Sequence, residues 1–242
     1  MNLLKYHTEP YVLRAKTIFQ MMKHNHLKFD WNLKISWNEI NFNRIALVNL
    51  LLRNYENPRY LEIGCASNAL FDSVYAQNKV GVDPNAGGNV RKTSDEFFEN
   101  NNEIFDVIFI DGLHSYEQAR RDLLNSKKVL APDGFIAFHD MLPLNWIEGH
   151  PYPIIGGSWT GDVWKLAFEL NETSTSVFNL IQIDHGIGLI RNCENLNLTD
   201  ESIIHYKSLS FSYYIENYKK LPLISQIEAW KLINEAQRDS RA

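Results

Sequence analysis

Short apolar runs and amphipathic stretches alternate along the middle of the chain. The apolar runs are rich in Ile, Val and Phe and predict four buried strands, at residues 59–63, 79–82, 105–110 and 135–138. Helical periodicity separates these runs, and the clearest helix follows Ser115, where Gln118 completes a capping box. Strands that alternate with helices predict right-handed crossovers and a parallel sheet that is covered on both faces.

Two regions flank this alternation. Residues 1–56 show amphipathic helical spacing around an irregular aromatic stretch, so we expect an N-terminal helical extension that acts as a lid or a packing arm. Residues 177–183 and 187–190 predict two strands of a tight hairpin. A polar loop should follow, and then helices from about residue 212.

The expected fold class is α/β. The length of 242 residues suits one domain with an embellishment. We predict that residues 57–242 form this domain, around a doubly wound, Rossmann-like sheet of seven mostly parallel strands. The C-terminal hairpin should supply the antiparallel strand.

Composition narrows the functional classes. Hydrophobic residues make up 45% and charged residues 22%, which is typical of a globular protein. A net charge of -5 argues against nucleic acid as the main partner, because binding phosphates needs a basic face. The sequence contains no run of 18 apolar residues, so we expect no membrane-spanning helix. Its first residues form no continuous apolar stretch, so we expect no secretory signal. With only Cys65 and Cys193 available for disulfides, we expect a cytoplasmic protein.

Polar residues and a glycine mark the carboxyl ends of all four predicted strands. They are Glu62 and Gly64, Asp83, Asp111, and the pair His139 and Asp140. In an open parallel sheet, ligands bind at this edge. The sequence therefore predicts a functional site there.

The first two of these strand ends predict a nucleoside cofactor. Gly64 allows a sharp turn and a close approach of the backbone to a ligand. Ala66 and Ala69 exclude the glycine fingerprint of dinucleotide-binding proteins, which argues against a nicotinamide oxidoreductase. Asp83 lies 19 residues beyond Gly64, where an acid that hydrogen-bonds ribose hydroxyls is expected.

Three motifs resemble the class I S-adenosylmethionine-dependent methyltransferases. They are LEIGC at 61–65, VGVDP at 80–84 and FIDG at 109–112. The resemblance implies S-adenosylmethionine as the cofactor, and Asn68 stands where many relatives carry a further glycine. The implied cofactor contacts are Glu62, Gly64 and Ser67 around the methionine end, Asp83 at the ribose, Asp95 at the adenine, and Asp111.

Two longer segments resemble a narrower branch, that of the sugar and glycan O-methyltransferases. They are DGLHSYE at 111–117 and PDGFIAFHD at 132–140, and the branch includes cephalosporin-hydroxylase-like and macrolide-sugar O-methyltransferase-like proteins. The resemblance implies a divalent metal, Mg or Mn, on Asp111, His139 and Asp140. His139 stands where these relatives carry a carboxylate, and an imidazole either favours manganese, iron or zinc over magnesium or leaves the site without a metal.

The chemistry needs a base and an acceptor surface. A sugar hydroxyl is a poor nucleophile at neutral pH and requires a general base or a metal. His114 and His139, with Asp111 beside them, are the candidate catalytic residues. Trp159, Asp162 and Trp164 are the candidate acceptor wall, since sugars stack on aromatic faces while their hydroxyls seek polar partners. Trp164 also has the spacing of a core residue.

The leading interpretation is a cytoplasmic S-adenosylmethionine-dependent O-methyltransferase that acts on a hydroxyl of a sugar or glycan. Metal assistance and a homo-oligomer stay open at this point. One alternative is a methyltransferase of another small molecule, or hydroxylase-like chemistry at a site of one histidine and two carboxylates. The other is a methyltransferase-like binding module without turnover, because Asn68 and His139 depart from the family pattern.

Overall fold

The computed structural model describes residues 15, 18, 19, 22, 30–153, 158–173, 177–191, 193, 196 and 198–239. A single sheet organises them. Its strands are Arg59–Ile63 (β1), Asn78–Val82 (β2), Phe105–Ile110 (β3), Leu130–Phe138 (β4), Val177–Ile181 (β5), Ile187–Arg191 (β6) and Leu223–Ile224 (β7). The spatial order is β2-β1-β3-β4-β6-β5-β7.

Six strands of the sheet run parallel, and β6 runs against them. β6 pairs antiparallel with both β4 and β5, whereas the other neighbouring strands pair in parallel. β5 and β6 form the expected hairpin. The predicted α/β class, with seven mostly parallel strands and one antiparallel hairpin strand, is confirmed.

Helices cover both faces of this sheet. The described α-helices from residue 44 onward are Arg44–Leu52 (α1), Ser94–Asn100 (α2), Tyr116–Lys128 (α3), Trp164–Thr173 (α4), Asp200–Lys207 (α5), Phe211–Asn217 (α6) and Gln226–Asp239 (α7). No described helix has the combination of length and hydropathy that crossing a lipid bilayer requires.

The period-two pattern of the strands separates two cores. In β3, Ile108 and Ile110 pack on the face that carries α2 to α6. Val107 and Phe109, their neighbours, pack on the opposite face against α1 and α7. Adjacent side chains of a strand point to opposite faces, so this alternation explains the doubly wound arrangement.

Three elements differ from expectation. β4 begins at Leu130, because Phe105 pairs with Leu130 while Val107 pairs with Phe135, which leaves residues 131–134 as a bulge. β7 is a two-residue strand that its pattern alone does not reveal. The polar loop after β6 contains α5, whose first turn is capped by the Thr199 side chain.

The N-terminal region is described only in part, since most of residues 1–29 lie outside the described residues. Residues 15, 18, 19 and 22 are helical and exposed. In contrast, Leu47 and Leu51 of α1 are fully buried in the core beside β3. Residues 44–52 are therefore part of the packed domain, and the boundary at residues 56 and 57 stays a prediction.

Candidate active site

The carboxyl ends of β1, β2, β3 and β4 surround two adjoining clefts. The Asp83 cleft, of about 480 Å³, is lined among others by Asp83, Asn85, Ser94, Asp95 and Gln118. The His139 cleft, of about 400 Å³, is lined among others by Arg44, Glu62, His139, Asp140, Trp159 and Asp184. Both clefts share the lining residues Gly64, Ala66, Asp111 and His114.

Gly64 makes the junction between the clefts possible. Its φ is +88°, and a Cβ at this position would lie 2.0 Å from the carbonyl oxygen of Asp111. The Asp111 N–H donates to the Ile63 carbonyl at 2.8 Å. The loops that follow β1 and β3 therefore touch through their backbones, which only glycine permits.

Asp83 holds the loop after β1 in place. Its Oδ2 accepts hydrogen bonds from the N–H groups of Cys65 and Ala66, and its Oδ1 accepts from those of Asn85 and Ala86. Burial opposes ionisation, but these four donors hold the pKa of Asp83 below its usual value. A ribose hydroxyl that binds this carboxylate has to share it with backbone donors.

Glu62 and Ser67 lie on the His139 side of the junction. Ser67 is exposed, whereas Glu62 is 2% exposed and accepts a 2.7 Å hydrogen bond from the Tyr60 hydroxyl. Burial raises the pKa of Glu62 to about 7. Asn68, in the same loop, has a φ of +66° and accepts a hydrogen bond from Gly88. Asparagine tolerates this left-handed conformation, which fits a position where glycine is common.

Asp95 lies at the rim of the Asp83 cleft. Its side chain is 44% exposed and forms a 3.0 Å ion pair with Arg121. Beside it, Thr93 caps α2 and completes a capping box with Glu96. Thr93 therefore has a structural role, and Asp95 stays a candidate for contact with the cofactor.

Asp111, His139 and Asp140 come together at the floor of the His139 cleft. Potential ligand atoms of the three side chains all lie within 4.8 Å of one another. Nδ1 of His139 lies 3.2 Å from Oδ1 of Asp111 and 3.1 Å from Oδ1 of Asp140. Burial opposes the protonation of His139, but these two carboxylates raise its pKa well above the usual value.

Both ring nitrogens of His139 are buried and make no hydrogen bond within the described residues. Their contacts with the neighbouring acids are close but lack hydrogen-bond geometry. A buried polar atom without such a bond indicates a missing ligand or water. One imidazole and two carboxylates are a suitable donor set for manganese, iron or zinc, so these residues fit a divalent metal.

His114 faces the same cluster from the turn before α3. Its Nδ1 lies 2.7 Å from the Trp159 carbonyl oxygen and 3.2 Å from Oδ2 of Asp140. Donation from Nδ1 to the carbonyl leaves the lone pair on Nε2, which lies 3.5 Å from Oδ1 of Asp111. Burial opposes protonation of His114, but Asp111 and Asp140 raise its pKa.

The three residues of the predicted acceptor wall have different surroundings. Trp159 lines the His139 cleft, and its indole N–H donates to the His150 carbonyl at 2.7 Å. Asp162 is 8% exposed and accepts from the Tyr116 N–H at the start of α3 and from Lys165. Trp164 is 1% exposed and lines neither cleft, because it packs in the aromatic core beside Phe168.

Sequence reasoning did not assign Arg44, Asp184 and His185 to the site, although all three line the His139 cleft. The available signal was the predicted tight hairpin, whose turn contains Asp184 and His185. The described residues other than glycine with positive φ are Ala66, Asn68, Asp140, Asp184 and His185. Strained backbone of this kind clusters at functional sites, and here all of these residues except Asn68 line the His139 cleft.

Comparison with known families identifies the segment that carries these strand ends. Residues 58–141 match a family described as a methyltransferase domain. This similarity is a property of the matched segment, which is less than half of the chain. The predicted enzyme class is thereby confirmed, and the matched segment contains Glu62, Gly64, Asp83, Asp111, His139 and Asp140.

Several solved structures are similar to this chain. PaMTH1, a methyltransferase from Podospora anserina, has a TM-score of 0.44 at 18% identity, over 61% of this chain and 77% of its own. The N-methyltransferase NodS from Bradyrhizobium japonicum has a TM-score of 0.41 at 20% identity, with coverages of 64% and 90%. CalS10, an amino pentose methyltransferase from Micromonospora echinaspora, has a TM-score of 0.42 at 12% identity, with coverages of 66% and 92%. No curated protein matches the chain.

Proposed function

We propose that this protein is an S-adenosylmethionine-dependent O-methyltransferase that acts on a hydroxyl of a neutral sugar or glycan, with a divalent metal at Asp111, His139 and Asp140. The observation that carries the proposal is the position of Asp111. This residue lines both clefts of a methyltransferase domain and belongs to the cluster around His139. A methyl donor in one cleft and a hydroxyl in the other meet at this residue.

The adenosine part of the donor lies in the Asp83 cleft, and its methionine end passes the junction at Gly64 to the His139 side. Asp83 presents its carboxylate to the ribose, and Asp95 lies at the rim beside the adenine. Gly64 and Ser67 leave room for the methionine end, and Glu62 faces its ammonium group. The carboxylate of Glu62 is supported by the Tyr60 hydroxyl, so it can accept a cation without moving.

The acceptor hydroxyl lies beside Asp111, in the His139 cleft. A metal on Asp111, His139 and Asp140 would lower the pKa of this hydroxyl. Nε2 of His114 accepts the hydroxyl proton, while the Trp159 carbonyl keeps Nδ1 protonated. The methyl group then moves in line from the sulfonium to the oxygen, which leaves a neutral thioether and a protonated His114.

The charge of the His139 cleft favours a neutral acceptor. Glu62, Asp111, Asp140 and Asp184 supply four carboxyl groups, against the guanidinium of Arg44, the imidazoles of His114 and His139 and the charge that a bound divalent metal would add. The positive charges do not outnumber the carboxyl groups, so the cleft offers no net positive charge to attract an anionic acceptor. Trp159 lines this cleft, and an aromatic ring suits the CH face of a sugar.

A cytoplasmic location is part of the proposal. Among the described residues both cysteines, Cys65 and Cys193, are free and buried. Buried thiols of this kind suit a reducing compartment.

Calorimetric titration with S-adenosylhomocysteine tests the donor side. We expect micromolar binding by the wild type and none of NAD. Asp83→Asn should bind at least about tenfold more weakly, because one amide oxygen cannot accept from all four backbone donors and the ribose. Asp106→Asn is the matched control, since Asp106 is an acid at the opposite end of the sheet, bonded to Arg59. A folded wild type that does not bind S-adenosylhomocysteine would disprove the proposal.

Transfer of a labelled methyl group tests the acceptor side. We expect labelling of neutral sugars, less labelling of sugar phosphates, and none of catechol, a hydroxyl acceptor of another class. Chelation of metal should lower the rate by about 100-fold, and so should His139→Ala, with S-adenosylhomocysteine affinity unchanged. Labelling of catechol alone would place the enzyme with methyltransferases of other small molecules, and no labelling at all would favour the binding module.

A further inference from the structure

We propose that Asp184 is a positioning residue that orients the imidazole of His139 for metal binding. The inference rests on the metal site of the proposed function. It concerns a residue outside the ligand set, delivered from a turn that lies 45 positions further along the chain than His139.

The two nitrogens of the His139 ring face different acids. Nδ1 faces Asp111 and Asp140, at 3.2 and 3.1 Å. Nε2 faces Asp184, whose Oδ1 lies 3.5 Å away. Within the described residues, Asp184 does not belong to the set of atoms that could share one metal ion. Its place behind the ring is therefore that of a partner for the ligand and not of a ligand.

The turn between β5 and β6 fixes Asp184 in this place. Asp184, His185 and Gly186 all have positive φ, at +44°, +61° and +84°. A Cβ on Gly186 would lie 2.6 Å from the Leu142 nitrogen. The Met141 and Leu142 N–H groups donate to the carbonyls of Gly186 and His185. The turn is thus bonded to the segment that begins with His139 and Asp140.

Arg44 holds the other oxygen of Asp184. Oδ2 accepts from the backbone N–H of Arg44 at 3.2 Å and from its Nη1 at 2.8 Å. This contact anchors the carboxylate to the first residue of α1 and leaves Oδ1 directed at His139. The side chains of Asp184 and Arg44 are 17% and 30% exposed, so solvent screens the pair only in part.

The arrangement has a clear chemical consequence. A metal-binding histidine usually donates its second ring N–H to a carboxylate, which fixes the tautomer and the ring orientation. A proton on Nε2, 3.5 Å from Oδ1 of Asp184, leaves the lone pair of Nδ1 on the side of Asp111 and Asp140. Without Asp184, the ring can rotate or bind its proton on Nδ1, and either change removes the ligand atom from the site.

Asp106 is a matched control for loss of an acid–arginine pair. It accepts from the backbone N–H of Arg59 at 2.8 Å and from its guanidinium at 2.7 and 3.0 Å. The pair resembles that of Asp184 and Arg44, but it lies at the amino end of β1 and β3, away from His139.

The test is titration of the purified protein with Mn²⁺, followed by the electron paramagnetic resonance signal of the free ion. We expect Asp184→Ala to weaken Mn²⁺ binding by about 10- to 100-fold. Asp184→Asn keeps an oxygen that accepts from Nε2–H, so its affinity should stay within about threefold of the wild type. Asp106→Ala should bind Mn²⁺ like the wild type, and S-adenosylhomocysteine binding should be unchanged in all three variants.

The experiment distinguishes failure of the role of Asp184 from failure of the proposed metal site. Equal Mn²⁺ affinity of Asp184→Ala and the wild type overturns the inference and leaves the metal site intact. An equal loss in Asp184→Asn and Asp184→Ala also overturns it, because the charge and not the orientation would then matter. If the wild type binds no Mn²⁺ but binds S-adenosylhomocysteine, the metal part of the proposed function fails and the role of Asp184 fails with it.

Discussion

Asp83 follows β2 and His139 follows β4, in the two adjoining clefts, and their surroundings are opposite. Each carboxylate oxygen of Asp83 accepts two backbone hydrogen bonds. Neither ring nitrogen of His139 makes a hydrogen bond within the described residues. The hydrogen-bonding capacity of Asp83 is thus used within the protein. The ring of His139 is closely packed among acids but lacks hydrogen-bond partners within the described residues.

In the proposed function, the Asp83 cleft binds the cofactor and the His139 cleft holds the reacting groups. A carboxylate that accepts four backbone hydrogen bonds holds a loop rigid, so the Asp83 cleft has its shape before a ligand arrives. A buried imidazole among acids is costly to leave without partners, and such a cost persists where function requires it. We therefore expect changes at the junction to damage both clefts, and changes at their rims to have small effects.

Gly64→Ala should have the largest effect, because it removes the junction that both clefts share. The new Cβ would lie 2.0 Å from the Asp111 carbonyl oxygen in a backbone conformation that alanine rarely adopts. We expect a loss of at least about 3 kcal/mol in the free energy of unfolding, measured with urea. Binding of S-adenosylhomocysteine should be lost together with that of Mn²⁺.

Gly112→Ala is the matched control for this substitution. Its Cβ would lie 3.3 Å from a methyl group of Ile63, which can shift, and its φ is not in the left-handed region. The cost should be below about 1 kcal/mol. Equal costs for the two glycine variants would contradict the idea that the strand-end loops must touch at Gly64.

Glu62 lies at the boundary of the two clefts, and its ionisation should make cofactor binding depend on pH. The pKa of its carboxyl is raised to about 7 by burial, so the free protein holds a proton there in mild acid. An ammonium group binds only the ionised form, and Glu62 must release this proton first. Between pH 8 and pH 5.5, S-adenosylhomocysteine affinity should therefore fall by up to about 30-fold in calorimetric titrations.

Glu62→Gln separates this effect from the titration of nearby histidines. The variant cannot ionise, so we expect weaker binding at pH 8 and a much flatter profile below it. If Glu62→Gln keeps the full slope, protonation elsewhere in the site controls binding. The methionine end would then have to face another residue.

The strand-end residues could be predicted because each ends a buried run that is visible in the sequence. Asp83, Asp111, His139 and Asp140 follow such runs directly, and parallel strands bring their carboxyl ends to one edge. The position of Trp164 is harder to predict, since helical spacing with Phe168 fits both a core residue and a residue that lines a cleft. Only the packing against Phe168 and Phe211 shows that it is buried.

Asp184 and Arg44 could not be placed in this way. They are 140 positions apart and meet because β6 pairs antiparallel with β4, which brings the hairpin turn to the His139 edge. A hairpin can be predicted from local residues, but the strand it pairs with depends on packing of the whole sheet. The helix α5 was missed for another reason: its pattern is mostly polar, and Tyr206 is its buried residue.

Asp95→Ala should have the smallest effect, because Asp95 lies at the rim of the cleft that is already complete. Its side chain is 44% exposed and its partner Arg121 is 53% exposed, so water screens the ion pair. We expect the melting temperature to change little and S-adenosylhomocysteine to bind about two- to fivefold more weakly, through loss of a rim contact with the adenine. Arg121→Ala removes the same ion pair but keeps the acid, and should leave this affinity unchanged. A loss of affinity in Arg121→Ala as large as that in Asp95→Ala would mean that the ion pair orders the rim. The Asp83 cleft would then be less complete before binding than its hydrogen-bonded carboxylate implies.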